Sequence, residues 1–361
     1  MAKRSSLARI AIIGGGRWAR TIIGVVARIL TSDTVISIHS PRNADAMSAW
    51  VAGQFPSENF TVSPFWPEFR AGESSALIVA NAAQDHERAA SLGLLAGIPV
   101  LVEKPLTRTV AATNRLLALA SESGSQLCVG HVFRFARYVE NFAQNVRVTG
   151  RVQRLDFWWI DPVAEQVRGE VKNYDPSLPV FVDCLPHIVS VIATVLPYSD
   201  LSVNDVRLTR GGAETAIVML AGNVTVNLVI ARDAEFRERR LVAEITTGAS
   251  VELDFSVEPG VIQEPYGKTN ADPLWSTAPS PLTALLSAFL AGASGDEWDT
   301  RLSPELALCV GRLADQVWPR YRAAQAAWMA EQRQTNCEAR DEAGLSYAIR
   351  ERHYCDETLP R

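Results

Sequence analysis

Short, mostly apolar runs alternate with longer stretches of mixed polarity in the first part of the chain. Residues 10–13, 34–38, 76–80, 98–102 and 126–130 are each four or five mostly apolar residues long. Runs of this kind are strands buried on both faces. Between them, residues 20–30 and 107–123 carry apolar positions at helical spacing, with Gly124 placed to stop the second. His86 opens a further helix as a capping or packing residue. Strand and helix in alternation predict a parallel sheet with helices on both faces. Beyond it the period changes to two. Residues 148–160, 204–210, 215–219, 224–232, 241–246 and 250–255 alternate, the first with Phe157, Trp158 and Trp159, and a hairpin turn falls at 220–223. This half reads as an antiparallel sheet. Helices are expected at 183–196, 281–291 and 304–327, the last running into a charged tail, while 260–280, rich in proline, reads as irregular.

With 361 residues the chain is too long for one ordinary core. The change of period places the division near residue 130, giving domains 1–130 and 131–361. The fold class is therefore α/β, a doubly wound parallel sheet followed by an α+β domain with a large open, mostly antiparallel sheet, whose last helices are expected to pack back on the first domain. A hydrophobic fraction of 47% and a charged fraction of 21% are those of a soluble globular protein. The net charge of -5 argues against nucleic acid as the main partner. No apolar run approaches the roughly 20 residues that span a bilayer. The basic start, Met1 to Ser6, leads into a strand and not into a cleavage site, so a cytoplasmic location is expected. Cys128, Cys184, Cys309, Cys337 and Cys355 are odd in number and match no zinc spacing, which predicts reduced thiols and no metal. A bridge between Cys337 and Cys355 is the one pairing left open.

Three stretches carry candidate chemistry. The first is Gly14-Gly15-Gly16-Arg17-Trp18-Ala19, a G-x-G-x-x-A turn between a strand and a helix. Glycines there let a pyrophosphate approach the backbone, the helix start offers free N–H groups, and Ala19 permits close helix–strand packing. The next strand ends in His39-Ser40-Pro41-Arg42 where an NAD-specific chain offers an acid. Ser40 with Arg42 fits the extra phosphate of NADP, so NADP(H) is preferred over NAD(H), against the plain alternative that Arg42 is solvated. The second stretch, Leu101 to Leu106, delivers Glu103 and Lys104 from a buried strand into a turn that Pro105 stiffens. The third is Asp183-Cys184-Leu185-Pro186-His187, in which residues four apart share a helix face. Asp183 is placed to cap that helix, and Pro186 fits its first turn, where N–H groups have no internal partner. A capping aspartate with a packed histidine is the alternative reading.

In their order and spacing, these stretches resemble the glucose-fructose oxidoreductase / inositol dehydrogenase (Gfo/Idh/MocA) family of nicotinamide-dependent oxidoreductases. The resemblance implies an N-terminal Rossmann domain. Asn81 and Ala82 stand where the family has Thr-Pro beside the cofactor, leaving Asn81 a cofactor candidate. Gly14, Gly16, Arg17, Trp18, Ala19, Ser40, Arg42, Glu103 and Lys104 complete that set. His131-Val132-Phe133-Arg134-Phe135 looks like the segment that faces the substrate, making His131 and Arg134 candidates against an equal structural alternative, with both phenylalanines as packing. Arg134 together with Arg168 and Lys172, the last two in the polar segment 161–179, hints at a phosphate or carboxylate on the substrate, against the plain alternative that these charges are solvated.

Carried onto this chain, the family's roles make His187 the acid/base, Lys104 the ligand of the reacting oxygen and nicotinamide ribose, and Asp183 the holder of a neighbouring hydroxyl. Glu103 then supports Lys104. The glycines that usually precede the Asp-x-x-x-His pair are replaced by Leu178-Pro179-Val180-Phe181, which points to an altered pocket floor. The expected reaction is hydride transfer between NAD(P)(H) and a carbinol or carbonyl carbon of a small polar substrate such as a sugar derivative. An NADPH-dependent imine reductase and a non-catalytic NAD(P)-sensing regulator are the alternatives. A homodimer or homotetramer through the C-terminal sheet is expected from the same resemblance.

Overall fold

A computed structural model describes residues 7–30, 33–55, 59–70, 75–164, 166–167, 170–171, 179–197, 200–209 and 212–355. The first apolar runs become β1 (Arg9–Ile13), β2 (Val35–His39), β4 (Ser75–Val79), β5 (Val100–Glu103) and β6 (Leu127–Gly130), joined at one edge by β3 (Phe60–Ser63). They form one parallel sheet in the order β3-β2-β1-β4-β5-β6. Chain direction across the sheet reverses between β1 and β4, and ligands of open α/β sheets bind in the crevice outside the strand ends at that point. The helices are α1 (Arg17–Ile29), α2 (Ala44–Gln54), α3 (His86–Leu95) and α4 (Val110–Ser123). α4 starts three residues later than expected, because the Thr109 side chain and not Thr107 accepts from the Ala112 N–H. Gly124, at φ 66°, closes it as anticipated.

The second sheet has the order β10-β11-β12-β7-β13-β14-β15-β16. Its strands are β7 (Val152–Pro162), β10 (Leu201–Thr209), β11 (Glu214–Ala221), β12 (Val224–Ala234), β13 (Glu238–Ile245), β14 (Ser250–Asp254), β15 (Val261–Glu264) and β16 (Gly267–Asn270). A separate two-residue ladder, β8 (Gln166–Val167) with β9 (Glu170–Val171), lies in the polar segment. β7 pairs parallel with β12 and antiparallel with β13, and the other ladders of the large sheet are antiparallel. Two expectations fail here. Residues 148–149 end a helix, α5 (Arg137–Thr149), because its apolar positions Tyr138, Val139, Phe142, Ala143 and Val146 face the sheet at helical spacing. The stretch 260–280 is not wholly irregular either: β15 and β16 extend the sheet edge, burying little apart from Ile262.

α6 (Val180–Val195) packs with α5 over one face of this sheet. It begins three residues before Asp183, with Pro179 as its N-cap, so Asp183 does not cap it and Pro186 lies beyond the first turn. α7 (Pro281–Ala293) returns to the first sheet. Its Leu282, Leu285, Leu286, Phe289 and Leu290 share one core with Ile22, Ile23 and Val26 of α1. The final helix, α8 (Glu305–Cys355), packs Trp318 and Tyr321 against Phe181. Cys337 and Cys355 both fall on this helix, and their side chains lie outside what the structure describes, so the pairing left open between them stays untested. Cys128, Cys184 and Cys309 are free thiols. No helix among the described residues is long and apolar enough to cross a membrane, and none of the described residues form a cluster suited to a metal ion.

Candidate active site

One cavity of about 850 Å³ lies at the reversal point between β1 and β4, lined at one end by Gly14, Gly15, Gly16, Arg17 and Trp18 and at the other by Lys104, Asp183 and His187. The glycines are there for space. A Cβ at Gly14 would lie 2.6 Å from the Ala80 carbonyl oxygen and 2.9 Å from the Ala19 Cβ, and one at Gly15 would strike the Ser40 hydroxyl. At Gly16 a Cβ would meet nothing within 4 Å, so its absence leaves open room in front of the helix start. α1 has no side-chain cap and no acid in its first turn. Its first N–H groups are thus left for a ligand, and the helix dipole makes an anion the favoured one. These features fit the pyrophosphate of a dinucleotide.

Ser40 and Arg42, after β2, line the same cavity. Arg42 is ion-paired with Asp85 at 3.1 Å, a partner not foreseen from sequence. Arg88 lies over the Trp66 ring at 4.5 Å, and both line this end of the cavity. Neither stood out in the sequence, because a tryptophan in a loop and an arginine in a helix are common without function. Asn81 lines the cavity, and its carbonyl lies 3.2 Å from His86 Nε2. His86 Nδ1 lies 2.8 Å from the Pro105 carbonyl, and burial lowers the pKa of this ring. The neutral ring has one N–H, which the shorter contact assigns to Nδ1. His86 is thus a packed residue tying α3 to the turn after β5.

At the chemical end, β5 ends on Glu103. Its carboxyl accepts from the Lys104 main-chain N–H at 3.3 Å and from Trp18. Burial outweighs those bonds and pushes its pKa up to about 7. Lys104 Nζ turns to α6, donating to Asp183 Oδ1 at 2.6 Å and to the Asp183 carbonyl at 3.2 Å. The other carboxylate oxygen, Oδ2, accepts from Arg232 on β12. Burial alone would raise the Asp183 pKa, but Lys104 and Arg232 together outweigh it and hold the carboxylate well below its usual range. His187, one turn further along α6, stacks on Trp159 at 5.3 Å and 14° and meets Phe133 edge-on at 5.1 Å. Burial, then the Lys104 charge, lower its pKa well below 6.5, so the ring is neutral at pH 7.

His131 and Arg134 do not line the cavity. His131 is buried, its Nδ1 lies 3.2 Å from Ser190 Oγ, and burial followed by Arg134 and Lys104 pushes its pKa down to about 3. Burial also lowers Arg134, which sits in the field of Arg301, Asp299 and Glu305, on residues packed beside the first sheet. Phe133, expected only to pack, touches the His187 ring. Arg168 and Lys172 lie outside the described residues. Arg232 escaped sequence reading, although a signal existed. It continues the inward parity of Val226, Leu228 and Ile230, a place where strands put apolar residues.

A doubly wound sheet with a glycine turn at its reversal point and a polar cluster across the same cavity is the architecture of a dinucleotide-binding Rossmann protein. Residues 8–131 match the Gfo/Idh/MocA family model, described as an oxidoreductase family with an NAD-binding Rossmann fold, so the nucleotide-binding part of the chain is similar to that family. No curated protein matches the chain in sequence. Solved structures share the fold. A UDP-N-acetylglucosamine 3-dehydrogenase from Acidithiobacillus ferrooxidans is 18% identical with a TM-score of 0.66, over 88% of this chain and 99% of that one. A 3-ketoreductase from Actinomadura kijaniata, in complex with NADP, is 19% identical with a TM-score of 0.65, over 85% of this chain and 96% of that one. A biliverdin reductase from Synechocystis, solved with biliverdin and NADP+, is 17% identical with a TM-score of 0.62, over 88% of this chain and 99% of that one.

Proposed function

We propose that this protein transfers hydride between NADP(H) and a carbinol or carbonyl carbon of a small polar substrate such as a sugar derivative. The observation that carries this reading is the single cavity that the phosphate-binding glycines share with Lys104, Asp183 and His187. When bound, the nicotinamide gives or takes the hydride. The chain's own residues manage the proton and the charge. His187, neutral at pH 7, accepts the hydroxyl proton on an imidazole nitrogen in oxidation and returns it in reduction. Lys104 has three N–H donors, of which two are used on Asp183, so the third is available to the reacting oxygen. Asp183, with both oxygens engaged by cations, orients Lys104 before it orients a substrate hydroxyl. Glu103 reaches Lys104 through its main chain rather than its amine.

The preference for NADP(H) draws support from Arg17, Arg42 and Arg88, which line the glycine end of the cavity, against a single acid there, Asp85. Guanidinium groups suit a phosphate monoester. A homo-oligomer through the second sheet is supported by Ala216, Val218, Trp158 and Val242, half-buried on the face away from α5 and α6. Sedimentation would read its size.

The test is a panel of sugars, polyols, ketones and imines with each nucleotide. Lys104→Ala and His187→Ala should each lower kcat/KM by on the order of a hundredfold while nucleotide binding persists. Near-normal turnover in either variant removes that residue from the mechanism, and turnover of imines alone moves the assignment to C=N reduction. NADPH binding without turnover of any substrate would favour a sensor.

A further inference from the structure

Three charged side chains interrupt the inward face of the second sheet at one end of three adjacent strands. On β7 the buried parity runs Leu155, Phe157, Trp159 and then Asp161; on β12 it runs Val226, Leu228, Ile230 and then Arg232; on β13 it runs Ile245, Ala243, Leu241 and then Arg239. Asp161 and Arg239 are each 2% exposed and are paired with one another. A buried pair of this kind adds little to stability over an apolar pair of the same volume. Its placement suggests another use, because two paths of contact lead from it into the cavity.

Along the first path, Arg232 Nε lies 4.0 Å from Asp161 Oδ2, Arg232 bonds Asp183 Oδ2, and Asp183 Oδ1 takes the Lys104 amine at 2.6 Å. Along the second, the Arg239 guanidinium lies 4.0 Å from the centre of the Trp159 ring, and Trp159 stacks on His187. The amine and the imidazole are thus tied to the same buried pair by different side chains. We propose that Arg232 is a positioning residue that, anchored by Asp161 and Arg239, holds Asp183 against Lys104 and takes up part of the carboxylate's charge. The purpose of that positioning rests on the hydride-transfer reading. With Arg232 in place, the Asp183 carboxylate is shared between two cations, so it cancels less of the amine's charge. Without it, the carboxylate's charge falls more fully on Lys104, and the field at the reacting oxygen weakens.

Arg232→Met and Arg232→Lys test this. Asp183 faces Lys104 from the turn after β5, Arg232 from β12 and His187 from its own helix, with Asp161 and Arg239 behind Arg232. Removing one cation raises the pKa of the carboxylate, so the acidic limb of kcat/KM, which belongs to the Asp183–His187 pair together, moves to higher pH in Arg232→Met. In that variant kcat should fall about tenfold or more, with KM and nucleotide affinity within about twofold of the parent. Carbodiimide coupling at Asp183, followed by peptide mass spectrometry, should speed up several-fold. Arg232→Lys should bring each readout back to within about threefold, because an ammonium keeps the charge. If the methionine variant does not fold, Arg232→Gln, which keeps a donor without the charge, takes its place. Parental labelling of Asp183 in the uncharged variant, or a lysine variant no better than it, overturns the proposal. Should the parent turn over nothing, the hydride-transfer reading falls, and the labelling still decides what Arg232 does.

Discussion

Asp183 was recognisable from its sequence neighbourhood as a polar residue one turn from a histidine, yet its partners were not. The reason is distance along the chain. Lys104 lies 79 residues away and Arg232 lies 49 away, and only the docking of α6 between β5 and β12 brings them to opposite oxygens of one carboxylate. Glu103 makes the same point about environment. Its pKa is raised from 4.5 to about 7, so between those values the folded state binds more protons than the unfolded chain. Stability from this residue is therefore full below about pH 4.5, falls as the pH rises, and is lost by about pH 7, to an extent on the order of 3 kcal/mol at most. Glu103→Gln should flatten that part of the profile in denaturant melts taken from pH 5 to 8. Parallel curves for the two proteins would show that the carboxyl is not desolvated as described. For His187 the sign is opposite. A ring whose pKa lies well below 6.5 stays neutral through the neutral range, so oxidation should weaken only in more acidic solution.

At the scale of the elements, five of the six strands of the first sheet lie within two residues of their apolar runs, because strands buried on both faces leave little choice of register, while the half-exposed edge strand β3 had no such run to mark it. The helix limits were harder. α4 and α6 both had polar residues near their starts that qualified as caps, and the choice fell to side-chain geometry at Thr109 and to the chain's path before Asp183. α3 shows how closely a helix can be set on a sheet. A Cβ on Gly93 would come within 2.6 Å of Val100 Cγ2 and 3.0 Å of Leu77 Cδ2. Gly93→Ala should cost about 1–3 kcal/mol through this overpacking, despite the better helix propensity of alanine. A urea melt would read the change, and a gain in stability would mean that the sheet side chains give way freely.

For the molecule as a whole, the two sheets follow the order of the chain but the cores do not. α7 comes after the entire second sheet and still closes the core of the first, through Phe289 and its neighbours against α1. Phe289→Ala should cost about 3–5 kcal/mol and should speed hydrogen exchange in α1, some 260 residues earlier, as much as in α7 itself. Unchanged protection in α1 would separate the two helices energetically. α1 also presents its start to the cavity, so the late helix α7 supports the glycine-turn end of the cavity.

Local composition settled a good deal of this protein. Period and glycine spacing were enough for the parallel sheet, the tight glycine turn at Gly14 to Ala19, the strand that leads into Lys104 and the second sheet's alternation, since each depends on residues within a few positions of one another. Tertiary structure decided what those residues face. It joined Lys104, Asp183 and Arg232 into one ion-paired group, laid His187 on Trp159, turned Arg42 to Asp85 and left His131 and Arg134 outside the cavity. Contacts of that kind are set by how helices and sheets dock over long separations, and no local pattern encodes the docking.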